Sequence, residues 1–280
     1  MSTAINVLKR GNGIVEIQLH RPEKHNALNF EMLASLRQAF LSINEKYLRS
    51  AEASAGKDED DVRVILLTGE GKNFCSGIDV MSLGGALNVD TGDVARNAVR
   101  LYNGIRFMQE CLSEVERSPV PVIAVIHGLC LGAGVDLVSC CDIRVATDTA
   151  VFSIKEVDLG IAADMGTLQR LPSLVRSQGT LKEWAYTGRR FGSAEALAAG
   201  FLNDASAKST PEAHKLALTV AECISSKSPV AIWGVKRTLN AAEEMHKERG
   251  LRYMAMMNAS LLQTKDIMAA VGGEKKFSKL

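Results

Sequence analysis

Three features of this 280-residue chain predict an α/β fold with a helical region at its carboxy-terminal end. Strand-like runs at Ile14–His20, Val62–Thr68 and Val120–Ile126 alternate with helical patterns at Phe30–Leu48 and Asn97–Glu116, as in α/β or mixed architectures. Two glycine-containing segments, around Gly77 and Gly132, each follow an apolar strand. From about Thr187 onward the periodicity is helical, which divides the chain into a core over residues 1–200 and a helical region over residues 201–280.

The opening residues pass directly into the first strand pattern, with no apolar h-region and no Arg/Ser-rich amphipathic stretch to suggest a cleaved presequence. Ala51–Asp61 is small and charged and reads as a solvated connection between the first helix and the second strand. Gly84–Asp93 is a second polar, glycine-containing segment, expected to form a mobile wall beside a site. Ser193 is expected to cap a helix that Gly200 ends, and Ser228-Pro229 to open another. Gly250–Val271 reads as one long helix whose Met254, Met256, Met257, Leu261 and Leu262 cover more than one stripe. It is therefore expected to pack against a second chain as well as its own core, with ordinary intrachain burial as the alternative.

Lys and Arg total 33 against 32 for Asp and Glu, a net charge of +1, so no global field selects nucleic acid or a membrane surface. No apolar run is long enough to span a bilayer. The cysteines, Cys75, Cys111, Cys130, Cys140, Cys141 and Cys223, lack C-x-x-C spacing and are expected to be buried free thiols. The histidines are scattered, and no metal site is expected.

The chemistry is carried by three segments. Phe74-Cys75-Ser76-Gly77-Ile78-Asp79-Val80 and His127-Gly128-Leu129-Cys130-Leu131-Gly132-Ala133-Gly134-Val135-Asp136 each join a strand to a helical run, Leu137–Cys141 in the second case. Glycine lets the main chain approach a ligand closely, and two turned backbones can aim two N–H donors at one developing oxyanion. A phosphate loop would need Lys-Ser/Thr after the glycines, and a dinucleotide fingerprint would need G-x-G-x-x-G order; neither is present. In the third segment Glu156 and Asp164 flank an apolar turn and could face one cavity, where burial would raise their pKa toward values useful for proton transfer. The alternative makes Glu156 an ion-pair partner of Lys155 or Arg170, and Asp164 the cap of a helix starting near Met165.

These turns, with His20-Arg21-Pro22, Asn26-Ala27-Leu28, Thr187-Gly188-Arg189 and Ser193-Ala194-Glu195-Ala196-Leu197, resemble the enoyl-CoA hydratase/isomerase (crotonase) superfamily over nearly the whole chain. The resemblance implies a crotonase-like spiral of β-β-α units and an acyl-CoA substrate, with coenzyme A part of that substrate and no separate cofactor. It places the oxyanion amides on Ile78 and Ala133, within the substrate-binding turn Ser76, Gly77, Ile78, Asp79 and Val80, and sets Lys24 and Asn26 beside coenzyme A. Asp136, Glu156 and Asp164 together resemble the Δ3,5-Δ2,4-dienoyl-CoA isomerase branch, which implies Asp164 as base at C2, Glu156 as acid at C6 and Asp136 as a tuning group. The family also implies homotrimers or homohexamers through the 201–280 region. Alternatives on the same scaffold are an enoyl-CoA hydratase, a Δ3,Δ2-enoyl-CoA isomerase or a non-catalytic binding protein. Ser278-Lys279-Leu280 reads as a peroxisomal address, and hence as a ligand for the import receptor.

Overall fold

The amino-terminal hairpin turns at Asn12-Gly13, whose φ values of 52° and 73° suit the two-residue turns that match strand twist. In the computed structural model, which describes residues 4–52, 61–81, 92–273 and 277, this hairpin joins β1 (Ile5–Gly11) to β2 (Ile14–Leu19) in antiparallel pairing. Parallel pairing then adds β3 (Val64–Gly69), β4 (Val122–Ile126), β6 (Ile143–Thr147) and β9 (Asp204–Ala207), so the six-stranded sheet runs β1-β2-β3-β4-β6-β9. A second sheet contains β5 (Leu129–Leu131), β7 (Val151–Ser153) and β8 (Phe191–Gly192). Cys75 pairs in parallel with Cys130 of β5.

β3, β4 and β6 each lead through a turn into a short extended segment of the second layer, at Cys75, β5 and β7, before the chain turns toward a helix. That repeat is the spiral of β-β-α units expected from sequence. Helix α1 (Phe30–Glu52) and α2 (Val94–Glu116) follow the first turns, and the seven-residue α3 (Ala133–Ser139) follows β5. Beyond β7 lie α4 (Thr167–Leu174), α5 (Gln178–Thr187), α6 (Ser193–Ala198), α7 (Thr210–Ser225), α8 (Pro229–Ala242), α9 (Lys247–Leu261) and α10 (Asp266–Val271).

The central strands β3 and β4 read as near-continuous apolar runs because both faces are covered. Ile17, Leu19, Ile65 and Leu67 join the larger core with α1, whereas Ile14, Val64, Leu66, Ile123 and Val125 meet Ala213, Ala217 and Ala221 of α7. Those alanines recur every four residues, so α7 lays a small-residue stripe on the sheet. No helix among the described residues is long and apolar enough to cross a membrane.

Several expected boundaries move. Helix α1 continues to Glu52, past Leu48 and into the expected connection Ala51–Asp61, of which residues 53–60 lie outside the described residues. Helix α2 begins at Val94, three residues before Asn97, because the Asp93 carboxylate caps it by accepting from the Ala95 and Arg96 amides. Most of Gly84–Asp93 lies outside the described residues. Pairing with β3 starts at Val122 rather than Val120, since Pro121 between them has no N–H to give. Helix α3 starts at Ala133, four residues before Leu137, directly after the turned Gly132.

Ser193 is the first helical residue rather than the cap. Its hydroxyl is buried and donates to the Thr147 and Ala150 carbonyls instead. Ser228 does cap α8, accepting from the Ala231 amide. The expected long helix Gly250–Val271 is two helices, interrupted where the Thr264 hydroxyl takes the Asp266 amide and the Asp266 carboxylate accepts from Ser228. Its apolar stripe divides: the Thr238 hydroxyl of α8 meets the Met254 sulfur and Gly234 of α8 faces Leu261, whereas Met256 and Leu262 are exposed. Five cysteines are buried free thiols, but Cys223, on α7, is exposed.

One buried carboxylate ties β2 to β3 and α7. Glu16 is only 2 % exposed and accepts from Thr68 Oγ1 at 2.7 Å, Arg10 Nε at 2.7 Å and His214 Nε2 at 2.9 Å. Burial alone would raise its pKa, but the His214, Arg10 and Thr68 hydrogen bonds bring it down to about 2. A carboxylate whose folded pKa is depressed stabilises the fold above its unfolded value of 4.5, and this contribution is lost as pH falls toward 2. Glu16→Gln, which strands Arg10 and His214, should cost roughly 2–4 kcal/mol at pH 7. The deficit, followed by urea unfolding, should shrink below pH 4.5; a pH-independent deficit would show that shape rather than charge is at stake.

Candidate active site

The two glycine turns meet. Cys75 makes two main-chain hydrogen bonds to β5 around the Cys75–Cys130 pair, with Cys75 N donating to Leu129 O and Leu131 N donating to Cys75 O, both at 3.0 Å. Gly77 has φ of 101°, and a Cβ there would stand 2.9 Å from the Leu131 carbonyl oxygen and 3.7 Å from the Ala133 nitrogen. Gly132 has φ of 49°, and a Cβ on it would stand 3.1 Å from Glu156 Oε1. Both positions therefore need glycine for conformation and for room.

The turns leave two amides over. In the bridge between Leu28 and Ile78, Leu28 N donates to Gly77 O and Asp79 N donates to Leu28 O, so Ile78 presents its N–H on the other side. Ala133 is the first residue of α3, where no intrahelical acceptor exists. Neither the Ile78 nor the Ala133 N–H has an acceptor among the described residues. The expected donors are thus adjacent and unspent.

Three carboxyl groups surround them. Asp136, on α3, is 1 % exposed, and its Oδ1 accepts from the Thr167 amide at 2.6 Å. Burial, partly offset by Thr167 and the more distant Arg170 charge, pushes it up to about 6. Glu156 packs against Gly132, and burial followed by the Asp136 charge pushes it up to about 7. Its Oε2 is buried with no hydrogen-bond partner among the described residues. Asp164 is half-buried, and burial raises its pKa as well, while its own backbone N–H lowers it.

The ion-pair alternative for Glu156 does not hold. Lys155 pairs with Asp158, and Arg170 donates to Glu116 at 2.8 Å. Asp164 caps no helix, because α4 starts at Thr167 with Gly166 before it. The site therefore concentrates acidic groups of raised pKa beside two free amide donors, an arrangement able to move a proton and to hold negative charge on oxygen.

The remaining candidates divide. Asp79 accepts from Arg21 Nη2 at 3.2 Å and the Ser76 hydroxyl donates to Lys24 O, so both anchor the turn, whereas the Val80 side chain is exposed. Lys24 is exposed beside this turn. The Asn26 side chain, in the segment expected beside coenzyme A, is 0 % exposed, with Oδ1 accepting from the Arg21 amide and Nδ2 donating to the Glu70 and Asn73 carbonyls. The Asn26 side chain shapes the loop. Two groups without any sequence signature complete the site, Thr167 on Asp136 and Gln109 Nε2, which donates to the Asp164 carbonyl oxygen at 2.6 Å.

A raised carboxyl pKa carries a stability consequence. Folded Glu156 holds its proton up to about pH 7, whereas the unfolded group releases it near 4.5, so stability falls as pH rises through that window. Glu156→Gln removes the penalty. By scanning calorimetry it should melt roughly 2–4 °C above the wild type at pH 8 and near it at pH 4.5; an equal or lower midpoint at pH 8 would mean that Glu156 is not held in this way.

Comparison with known proteins gives this geometry a family. The enoyl-CoA hydratase/isomerase family model matches residues 9–278. A Delta(3,5)-Delta(2,4)-dienoyl-CoA isomerase, mitochondrial, from Rattus norvegicus is 39% identical over 99% of this chain and 81% of its own length. One named peroxisomal, from Arabidopsis thaliana, is 38% identical over 96% of this chain and 94% of its own. Among solved structures, a putative enoyl-CoA hydratase from Streptomyces coelicolor superposes with a TM-score of 0.83 at 28% identity, covering 99% of this chain and 93% of that one. The chain belongs to the enoyl-CoA hydratase/isomerase family.

Proposed function

We propose that the protein isomerises a 3,5-dienoyl-CoA to the conjugated 2,4-dienoyl-CoA. The observation that carries this reading is the pairing of Glu156 and Asp164, two carboxyl groups of raised pKa in one acidic site. In the proposed reaction the Asp164 carboxylate takes a proton from C2. The C2–H bonding pair moves through the conjugated system, and negative charge collects on the thioester oxygen, held by the Ile78 and Ala133 amides. Glu156, whose pKa of about 7 leaves a substantial fraction protonated near neutral pH, then delivers a proton to C6 as the double bonds settle at C2 and C4. The step ends with Asp164 protonated and Glu156 ionised, and exchange with solvent resets both.

Asp136 has a different part in this reading. Buried and pinned by Thr167, it raises the Glu156 pKa by its negative charge and so keeps the acid loaded. In this reading Lys24, which is exposed and whose carbonyl accepts from the Ser76 hydroxyl, meets coenzyme A, and its exposure supports that part. Relatives sharing the dienoyl-CoA isomerase name and nearly full-length similarity support the choice of reaction over hydration.

Purified protein mixed with 3,5-dienoyl-CoA should generate the absorbance of the 2,4-product, whereas a hydratase would instead consume 2-enoyl-CoA without isomerising the diene. Asp164→Asn should cut both isomerisation and exchange of the C2 proton with solvent deuterium to a small residual rate, about a thousandth of wild type or less. Glu156→Gln should retain C2 exchange while product formation falls about a hundredfold or more. Equal exchange in the two variants would refute this division of roles.

The same reading places the protein in a peroxisome-type compartment through Ser278-Lys279-Leu280, which lie outside the described residues. The peroxisomal name of the Arabidopsis thaliana relative supports it, while relatives from Rattus norvegicus and Homo sapiens are named mitochondrial. A fluorescent protein fused to the amino terminus should give puncta that disperse when the last three residues are deleted; unchanged puncta would reject the address.

A further inference from the structure

The segment that carries Asp164 has little of its own to hold it. Ala162 through Met165 form no main-chain to main-chain hydrogen bond among the described residues. Their fixed points come from side chains: the Asp164 carbonyl accepts from Gln109 Nε2 at 2.6 Å, and the Met165 carbonyl accepts from Arg170 Nη1 at 3.4 Å. Helix α2 stands behind both contacts. Gln109, Ser113 and Glu116 recur at i, i+4 and i+7 and so share one helix face. Ser113 Oγ accepts from Arg170 Nη2 at 3.2 Å, and Glu116 Oε2 accepts from Arg170 Nε at 3.0 Å and Nη2 at 2.8 Å.

The Gln109 amide has only one workable orientation. Arg106 Nη1, which can only donate, lies 2.6 Å from Gln109 Oε1. The Asp164 carbonyl, on the other side, can only accept. The amide nitrogen must therefore face the segment, and a flipped amide would set donor against donor and acceptor against acceptor. The Asp164 carboxyl is attached through a single Cβ to that main chain, so a shift of the main chain carries the carboxylate with it.

We propose that Gln109 is a positioning residue for the reaction: its amide pins the main chain at Asp164 and so holds the Asp164 carboxylate at the reacting carbon. This rests on the dienoyl-CoA isomerase reading. Gln109 touches neither the amide donors nor Glu156, so its loss should leave thioester binding and the acid untouched. A displacement of about 1 Å at a reacting group is enough to cost on the order of a hundredfold in rate.

The test uses Gln109→Met, close in size and helix preference but without the donor, alone and combined with Asp164→Asn. With 3,5-dienoyl-CoA, Gln109→Met should lower kcat and C2 proton exchange together, by roughly ten- to a hundredfold, with KM within about twofold of wild type. Circular dichroism and the thermal midpoint should stay near wild type. In the Asp164→Asn background the same change should lower the residual rate by less than about twofold, because the group it positions is already disabled. Full kcat in folded Gln109→Met would overturn the proposal, and so would an equal loss in both backgrounds, which would mark a general disturbance of the fold. Wild-type protein that fails to isomerise the diene would overturn the underlying reading and the proposal with it, an outcome distinct from an active wild type with an unaffected variant.

Discussion

The close approach of two glycine turns is the constraint on which the rest of the site depends. Gly77 lies against the Leu131 carbonyl and Gly134 against Cys75, spacings that any Cβ would have to push apart. This contact exists because Cys75 and Cys130 are paired in the second layer, and that pairing in turn is set by parallel β3 and β4 beneath. The positions of the Ile78 and Ala133 amides therefore follow from sheet register and backbone torsion. Side chains have little part in it, so isoleucine, valine and alanine can stand where a reader looking for chemistry would seek polar groups.

Acidic groups packed around such donors make a costly arrangement. Asp136 and Asp164 both raise Glu156, Asp164 raises Asp136, and Arg170, whose charge lowers Asp136, is committed to Glu116. Keeping Asp136 near 6 rather than 3.8 means that its ionised form costs the fold on the order of 3 kcal/mol at neutral pH. The doubly covered sheet absorbs that loss, with its near-continuous apolar strands on one side and the alanine stripe of α7 on the other. Stability resides in the scaffold and strain in the site, a separation that lets proton-transfer groups keep unfavourable pKa values.

Much of this was legible in the sequence, and what was not has physical reasons. Alternating strand and helix periodicities located β2, β3, β4, α1 and α2, because those elements bury a regular face. The glycine turns and the three carboxyls stood out as motifs. Boundaries slipped wherever one side chain outcompeted the periodic pattern, as Asp93 does at the start of α2 and Thr264 after α9. The Asn26 side chain is spent internally, on three hydrogen bonds to main chain that fold its loop, and such long-range contacts leave no local pattern. Gln109 left no trace, since its contact with Asp164 crosses 55 residues and joins an amide to a carbonyl, a pairing that any residue's backbone could accept.

Two glutamates show why residue type alone could not settle function. Glu16 is buried and Glu156 half-buried, with one of its oxygens out of contact with water, within one chain. Glu16 lies among a hydroxyl, a guanidinium and an imidazole, each of which gives it a hydrogen bond, and its pKa is drawn down to about 2. Glu156 has one oxygen with no partner among the described residues and Asp136 for a neighbour, and it is driven up to about 7. The first is permanently ionised and serves as a rivet between strand and helix; the second keeps its proton to the edge of neutrality and can give it away. The difference lies in what each oxygen faces, and that is decided by the strand pairing that sets Thr68 beside Glu16 and by the glycine at 132 that brings main chain, rather than a donor, against Glu156.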